Sequence, residues 1–313
     1  MTTYTIRRLL HLIPTLLGVI IITFTLGFYG PGDPLKYQLG EQIPPDPQQL
    51  ARLRELYGLD RPYHEQLISY VGGLLQGDMG TSISVQSRRP VRDMLGTGLG
   101  VSMQLGGAAA ILIFAIGVPL GMLAAYRHNS ILDYVIVSFS AMLPTVPVFV
   151  LAPLLLILLV LQLKVLPYSF GWEGLFDPRA VLPLFILVIG PLLGIVRQTR
   201  SAVLEALPQD YVRTAQAKGL NDWRVMTRHI LKNALAPVVT SMGFVVASLL
   251  TGSLFIESIF GIPGFGNLIY DGLRSFDYPL ILGTTLVASF IIMFSNFVVD
   301  LLYPVLDPRV RLG

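Results

Sequence analysis

Six stretches of this 313-residue chain contain no aspartate, glutamate, lysine or arginine: Leu12–Gly32, Leu95–Tyr126, Tyr134–Leu163, Ala180–Val196, Ala234–Ile256 and Pro279–Val299. A helix crossing a hydrocarbon layer of ~30 Å needs ~20 apolar residues, with about 17 as the practical minimum, so each stretch is long enough to span a bilayer. Composition points the same way, with 53% hydrophobic and 13% charged residues against roughly 25% charged in an ordinary soluble domain. A soluble globule of this size would expose large apolar patches, whereas a chain wrapped in lipid needs charge only at its ends and loops. The expected fold class is therefore an all-α membrane protein with six transmembrane helices. The first stretch is longer than the core of a signal peptide and has no small-residue cleavage motif before Asp33, so it is read as a retained helix.

The second stretch is dense in small residues, Gly106, Gly107, Ala108, Ala109, Ala110, Gly117 and Gly121, which suit close helix–helix contact inside a membrane. The third carries Pro144, Pro147 and Pro153, and the fourth Pro183 and Pro191. Each proline frees a backbone carbonyl that neighbouring helices or water must satisfy.

Orientation follows from where the basic residues fall. With the N-terminus cytoplasmic, the short inner segments hold Arg7, Arg8, Arg127, Arg197, Arg200, Arg213, Lys218, Arg224, Arg228, Lys232, Arg309 and Arg311, while the short outer loops hold only Lys164, Arg179 and Arg274. Both termini are thus expected inside. Three blocks result: residues 1–32 with the first span, an extracytoplasmic helical insertion over 33–94, and a five-helix core over 95–313 with a cytoplasmic loop at 197–233. In the insertion, Asp46 and Pro47 predict a helix start, followed by Leu50, Leu53, Leu56 and Tyr57 and a stop at Gly58. Pro62 opens a second helix with Leu67, Tyr70, Val71, Leu74 and Leu75 on one side, closed by Gly77. Two readings of this insertion stay open, a cap over the bundle and a docking surface for an external partner.

Within the inner loop, Pro208, Asp210 and the run to Lys218 predict a helix of about nine residues, or ~13 Å, ended by Gly219. Asn221 or Asp222 caps a further helix on which Arg224, Arg228 and Lys232 share a face, a pattern that fits anionic lipid headgroups. The shorter helix differs, because Ala215, Ala217 and Gly219 leave a small-residue surface suited to insertion into a protein groove.

The segment Tyr211-Val-Arg-Thr-Ala-Gln-Ala-Lys-Gly219-Leu resembles the "EAA" loop of binding-protein-dependent ABC importers, in the form carried by dipeptide, oligopeptide and nickel permeases. Further similar segments are Leu75-Gln-Gly-Asp-Met-Gly80-Thr-Ser, Arg89-Pro-Val91, Glu257-Ser-Ile-Phe-Gly-Ile-Pro263-Gly264-Phe-Gly266, Asp277-Tyr-Pro279 and Leu306-Asp-Pro308-Arg309. Arg213 and Thr214 stand where the general consensus has Glu and Ala, as is usual in the peptide-permease branch. The resemblance implies a type I importer permease in a bacterial or archaeal inner membrane, and a coupling helix in which Tyr211, Arg213, Thr214, Ala215, Ala217, Lys218, Gly219 and Leu220 meet a separate ATPase. It also implies an external gate or rim at Glu257, Gly261, Pro263, Gly264 and Gly266. The implied partners are a second, homologous permease in a heterodimer, two ATP-binding cassette subunits, an extracytoplasmic substrate-binding protein and membrane lipid. ATP and Mg would be bound by the ATPases, and this chain would hold no cofactor or metal and carry no catalytic residue. Peptide is the implied cargo, although nickel chelates, glutathione and some sugars share the architecture.

Other chemistries fit less well. No G-x-x-x-x-G-K-[ST] occurs, so the chain has no P-loop. Gly261, Gly264 and Gly266 lack a strand–helix frame and read as a turn-rich loop rather than a nucleotide cradle. The histidines His11, His64, His128 and His229 show no metal-ligand spacing, and there is no cysteine. Ser102 and Ser138 lie in apolar spans without a nucleophile motif, and packing or backbone bonding is expected of them. A net charge of +3 on so apolar a surface gives no footing for nucleic acid. A channel or secondary transporter for a small polar solute is the alternative class, but ion-coupled carriers use ionisable groups at membrane depth. Here Asp133, Glu257 and Asp300 sit at span ends, where charges within reach of water are expected.

Overall fold

The computed structural model describes residues 2–30, 35, 47–86 and 88–306. Asp33, the Asp46 cap, Asp307, Pro308 and Arg309 of the expected terminal motif, and the inner Arg311 lie outside the described residues. Helix α1, Thr2–Tyr29, is followed by α2, Pro47–Leu56, and α3, Tyr63–Leu75. The 36-residue α4 covers Val91–Tyr126. Next come α5, Ile131–Met142, and α6, Val148–Leu155, the latter continued by a π-helical stretch, Leu156–Gln162. Helix α7, Val181–Ala206, leads to the short α8, Asp210–Ala217. The turn α9, Asp222–Arg224, runs through a π-helical segment, Val225–Ile230, into α10, Leu231–Leu250. Helices α11, Leu254–Ile259, α12, Phe265–Arg274, and α13, Tyr278–Leu306, complete the order.

Among the described residues, five helical runs are long and apolar enough to cross a membrane, and α5 with α6 makes a sixth span only as a pair bent by 102°. The bend has a local cause. Leu143–Thr145 tightens into a 3₁₀ turn, and Val146, which precedes Pro147, takes the extended conformation (φ −82°, ψ 117°) because the proline ring disfavours helical geometry in the residue before it. Other spans outrun their uncharged stretches: α4 begins at Val91, ahead of Arg92 and Asp93, α7 continues through Arg197 and Arg200 to Ala206, and the helical run that holds Ala234–Ile256 begins at Asp222. Charge marks where a helix leaves the hydrocarbon, not where it stops.

Among the described residues, three clusters of buried apolar side chains hold the bundle together. The central one joins Leu105, Ala109 and Ile113 of α4 to Leu182, Ile186 and Ile195 of α7 and Val238 of α10. One end is packed by Met122 and Ala125 of α4 against Ala202, Val203 and Ala206 of α7 and Val212 of α8. At the opposite end Val91, Met94 and Leu95 meet Phe265 and Leu280. The glycine reading of α4 holds at particular positions. A Cβ on Gly106 would lie 2.5 Å from the Leu249 carbonyl oxygen, and one on Gly121 would lie 2.5 Å from that of Val196, whereas Gly107 faces open space. Backbone approach of this kind lets α10 and α7 pack on α4 without intervening side chains.

Candidate functional site: a short docking helix and a carboxylate cradle

Helix α8 is seated by two side chains. Val212 and Ala215, three apart and therefore on one face, are buried against Val225, Met226 and Ile230 and the end of α7. The helix closes with a Schellman arrangement: Leu220 N–H donates to the Ala215 carbonyl at 3.4 Å and Gly219 N–H to that of Gln216 at 2.9 Å. That closure puts Gly219 at φ +75°, a conformation glycine adopts without Cβ strain. Asn221 then restarts the chain, its Oδ1 accepting from Trp223 N–H at 2.9 Å. Of the residues expected to meet an ATPase, Tyr211, Arg213, Thr214, Ala217, Lys218 and Gly219 are exposed and Leu220 is half-buried. Ala215 departs from that expectation. It is 6% exposed, because its small side chain lets α8 lie against its own bundle.

At the opposite end, the stretch expected as a loose rim is a packed cradle around one carboxylate. Glu257 Oε1 accepts from Ser102 Oγ at 2.7 Å and from Ser253 N–H at 3.2 Å, while Oε2 accepts from Asn267 N–H at 3.0 Å. Ser102 Oγ in turn accepts from Phe265 N–H at 2.8 Å. A Cβ on Gly264 would strike Glu257 Oε2, and one on Gly252 would lie 2.7 Å from Oε1. The glycines thus let the backbone reach the carboxylate. Gly261, at φ +62°, lies under the ring of Phe170, and of the rim residues Pro263 is the exposed one. Glu257 is 1% exposed, which corrects its expected place at a wet span end: donors from α4, α11 and α12 stand in for water, as a buried charge requires. On the neighbouring α12, burial raises the pKa of Asp271, opposed by Arg274 and by the hydrogen bond from Asn267.

A second buried carboxylate lies just before α13. Asp277 Oδ2 accepts from Ser82 Oγ at 2.6 Å and from the successive N–H groups of Ile83, Ser84 and Val85 at 3.0–3.1 Å. Consecutive amides aimed at one oxygen form an anion-holding nest, filled here by the chain itself, and they fasten the segment before α4 to the start of α13. Asp133, also expected near water, is 1% exposed and paired with Arg200 through two contacts, Nε–Oδ1 at 2.6 Å and Nη2–Oδ2 at 2.8 Å. Ser102, Asp277 and the Asp133–Arg200 pair were not singled out by sequence as site groups, since their partners lie 67 to 195 residues away. The sequence signal at Asp277 was its place in a family-like segment. Among the described residues no group of three or more His, Asp or Glu side chains could hold a metal ion.

Residues 117–312 match the family described as "Binding-protein-dependent transport system inner membrane component", and residues 1–91 match that described as its N-terminal membrane component. The dipeptide transport system permease protein DppB of Bacillus subtilis is 39% identical over 312 residues, covering 100% of this chain and 99% of that protein. DppB of Escherichia coli K12 is 36% identical over 99% of both chains. The oligopeptide permease OppB of Haemophilus influenzae is also 36% identical, over 99% of this chain and all of that one. In fold, the chain resembles a chain of the inward-facing MetNI methionine ABC transporter, with a TM-score of 0.52 and 17% identity over 68% of this chain and 96% of that one. With a matched family region over most of its length and relatives aligned end to end, the chain belongs to the binding-protein-dependent transport system inner membrane components.

Proposed function

We propose that this chain is one of two related permeases that form the membrane pathway of an ATP-driven importer of dipeptides or oligopeptides. Full-length similarity to permeases named for dipeptide and oligopeptide transport carries the reading. In it, two separate ATPase subunits bind ATP and Mg, and an extracytoplasmic binding protein delivers the cargo. The exposed face of α8, with Tyr211, Arg213, Thr214, Ala217, Lys218 and Gly219, meets an ATPase, and Ala215 and Leu220 hold that face in place from behind. A short helix fixed to the bundle by its apolar side suits this task, since a push on its outer side passes into α7 and α10 rather than into a loop. The twelve basic residues of the inner segments support placing the α8 end in the cytoplasm. The cradle around Glu257, with Gly261, Pro263, Gly264 and Gly266, then belongs to the outer rim. Residues 33–94 act as the extracytoplasmic insertion between residues 1–32 and the core of 95–313, anchored at Asp277. Chemistry on the cargo has no place in this scheme; the chain alternates access while hydrolysis happens elsewhere.

Reconstitution with the partner permease, ATPases and binding protein in proteoliposomes tests the proposal. ATP-dependent accumulation of a labelled dipeptide is expected, and Gly219→Trp is expected to remain inserted while losing that accumulation. Uptake that proceeds without the ATPases would overturn the importer reading in favour of a channel.

A further inference from the structure

Helix α5 packs thinly for a membrane-spanning element. Ile131, Tyr134, Val135, Phe139 and Met142 are all about half or more exposed, so little apolar burial fixes where the helix sits. What ties it to the bundle is a charge pair. Asp133, in its first turn, takes both prongs of the Arg200 guanidinium of α7 and also accepts Asn129 N–H at 3.0 Å. Among the described residues this is the only side-chain hydrogen bond joining α5 to another helix. A two-pronged arginine contact fixes orientation as well as distance, because the planar fork matches the carboxylate edge.

The location of the pair matters as much as its geometry. Arg200 stands just before the segment of α7, with Ala202, Val203 and Ala206, on which Val212 and Ala215 of α8 are packed. From Asp133, α5 runs to the 102° bend at 143–147. That bend lines a cavity of about 470 Å³ with Ile186, Gly190 and Pro191 of α7 and Ser248 of α10. A continuous path of packed or bonded groups therefore runs from α8 through α7 and Arg200 into α5 and on to the bend.

We infer that Asp133 and Arg200 are positioning residues forming a strut that makes α5 travel with α7 and α8, so that displacement of α8 reaches the bent span and changes the cavity behind it. The role given to α8 rests on the importer reading above; the strut itself does not. The chain contains no cysteine, so within it spin labels attach only where they are placed, and the partner subunits are used in cysteine-free form. In the full transporter complex, labels at Val135→Cys on α5 and Glu205→Cys on α7 are expected to give one narrow distance distribution. Adding Arg200→Met is expected to broaden or shift it by several ångströms, while a Tyr126→Cys and Glu205→Cys pair across α4 and α7 stays unchanged and reports intact folding. Peptide transported per ATP hydrolysed is expected to fall at least tenfold in Arg200→Met and to recover in large part in Arg200→Lys, which keeps the charge but not the fork. An unchanged α5–α7 distribution in Arg200→Met would overturn the strut, as would a loosened α5 with undiminished coupling. Failure of the unmodified complex to take up peptide would instead overturn the importer reading, and the label distances alone would then decide the strut.

Discussion

The Oδ2 atom of Asp277 and the Oγ atom of Ser82 lie 2.6 Å apart, across 195 residues of sequence. With three backbone amides converging on the same oxygen, removal of the carboxylate would take the acceptor from two buried donors, Ser82 Oγ–H and Ile83 N–H, and two half-buried ones, Ser84 and Val85 N–H. Hydrogen bonds to charged groups contribute about 1.5–3 kcal/mol each, and an orphaned buried donor adds its own desolvation cost. Asp277→Ala is expected to destabilise the end of the bundle opposite α8 by about 3 kcal/mol or more, measured as a lowered Tm in detergent. Amide exchange at Ile83, Ser84 and Val85 should accelerate well before exchange in α7. Unaltered exchange at those amides would show that the nest is not what holds this segment.

The cradle around Glu257 responds differently to two neutral replacements. Glu257→Gln keeps the shape but sets an NH₂ group against a backbone donor, either Ser253 N–H or Asn267 N–H, and about 1–3 kcal/mol is expected to be lost. Glu257→Ala strands every donor and should cost more. Ser102→Ala removes one donor and frees Phe265 N–H, a loss of about 1–2 kcal/mol. In thermal unfolding, Glu257→Ala is expected to lower the Tm most, Glu257→Gln less and Ser102→Ala least. Equal Tm values for all three variants would argue that the carboxylate does not organise the cradle.

Gly264→Ala is a purely steric probe of the same place. Its backbone φ of −95° suits any residue, so the added methyl acts by displacing the Glu257 carboxylate and Ser102 Oγ, 2.7 Å from the new Cβ. A cost of about 1–3 kcal/mol is expected, as for an overpacked core. Pro263→Ala, one residue away and exposed, should be nearly silent in the same melt.

Along α4 the contrast is between two glycines. Gly121→Val would push on the Val196 carbonyl and on Thr199 Cβ, 2.6 Å from the new Cβ, forcing α4 from α7 at about 1–3 kcal/mol. Gly107→Ala meets nothing within 4 Å and should be neutral or slightly stabilising, by up to about 1 kcal/mol, from helix propensity. A Gly121→Val protein as stable as its parent would mean the two helices are not in backbone contact.

Much of this architecture could be read before any coordinates, and the reason is physical. Hydrocarbon thickness sets a length that a linear scan can measure, so the membrane-crossing stretches stand out. Pro144 and Pro147 mark where backbone carbonyls are freed, but not that the span bends there by 102°, which depends on how α6 packs. Gly219 is legible as a helix stop because a left-handed backbone favours one residue type. Asp133 and Glu257 were misplaced for the opposite reason. A charge at the end of an apolar run looks the same whether water or a distant arginine or serine satisfies it, and only folding brings Arg200 or Ser102 alongside. Ala215 was misread on similar grounds: an alanine on a short helix gives no sign of which side faces the bundle.

Helix α4 carries Ser102, which holds the Glu257 cradle, and Met122, which packs in the cluster that seats α8. At about 1.5 Å of rise per residue they are separated by roughly 30 Å, the thickness of the hydrocarbon layer itself. One helix thus serves as a yardstick set across the membrane, gripped at both extremities. Any tilt it takes up at one face is registered at the other without an intervening loop, and Pro119, on the α8 side of its midpoint, is the place where that registration can give.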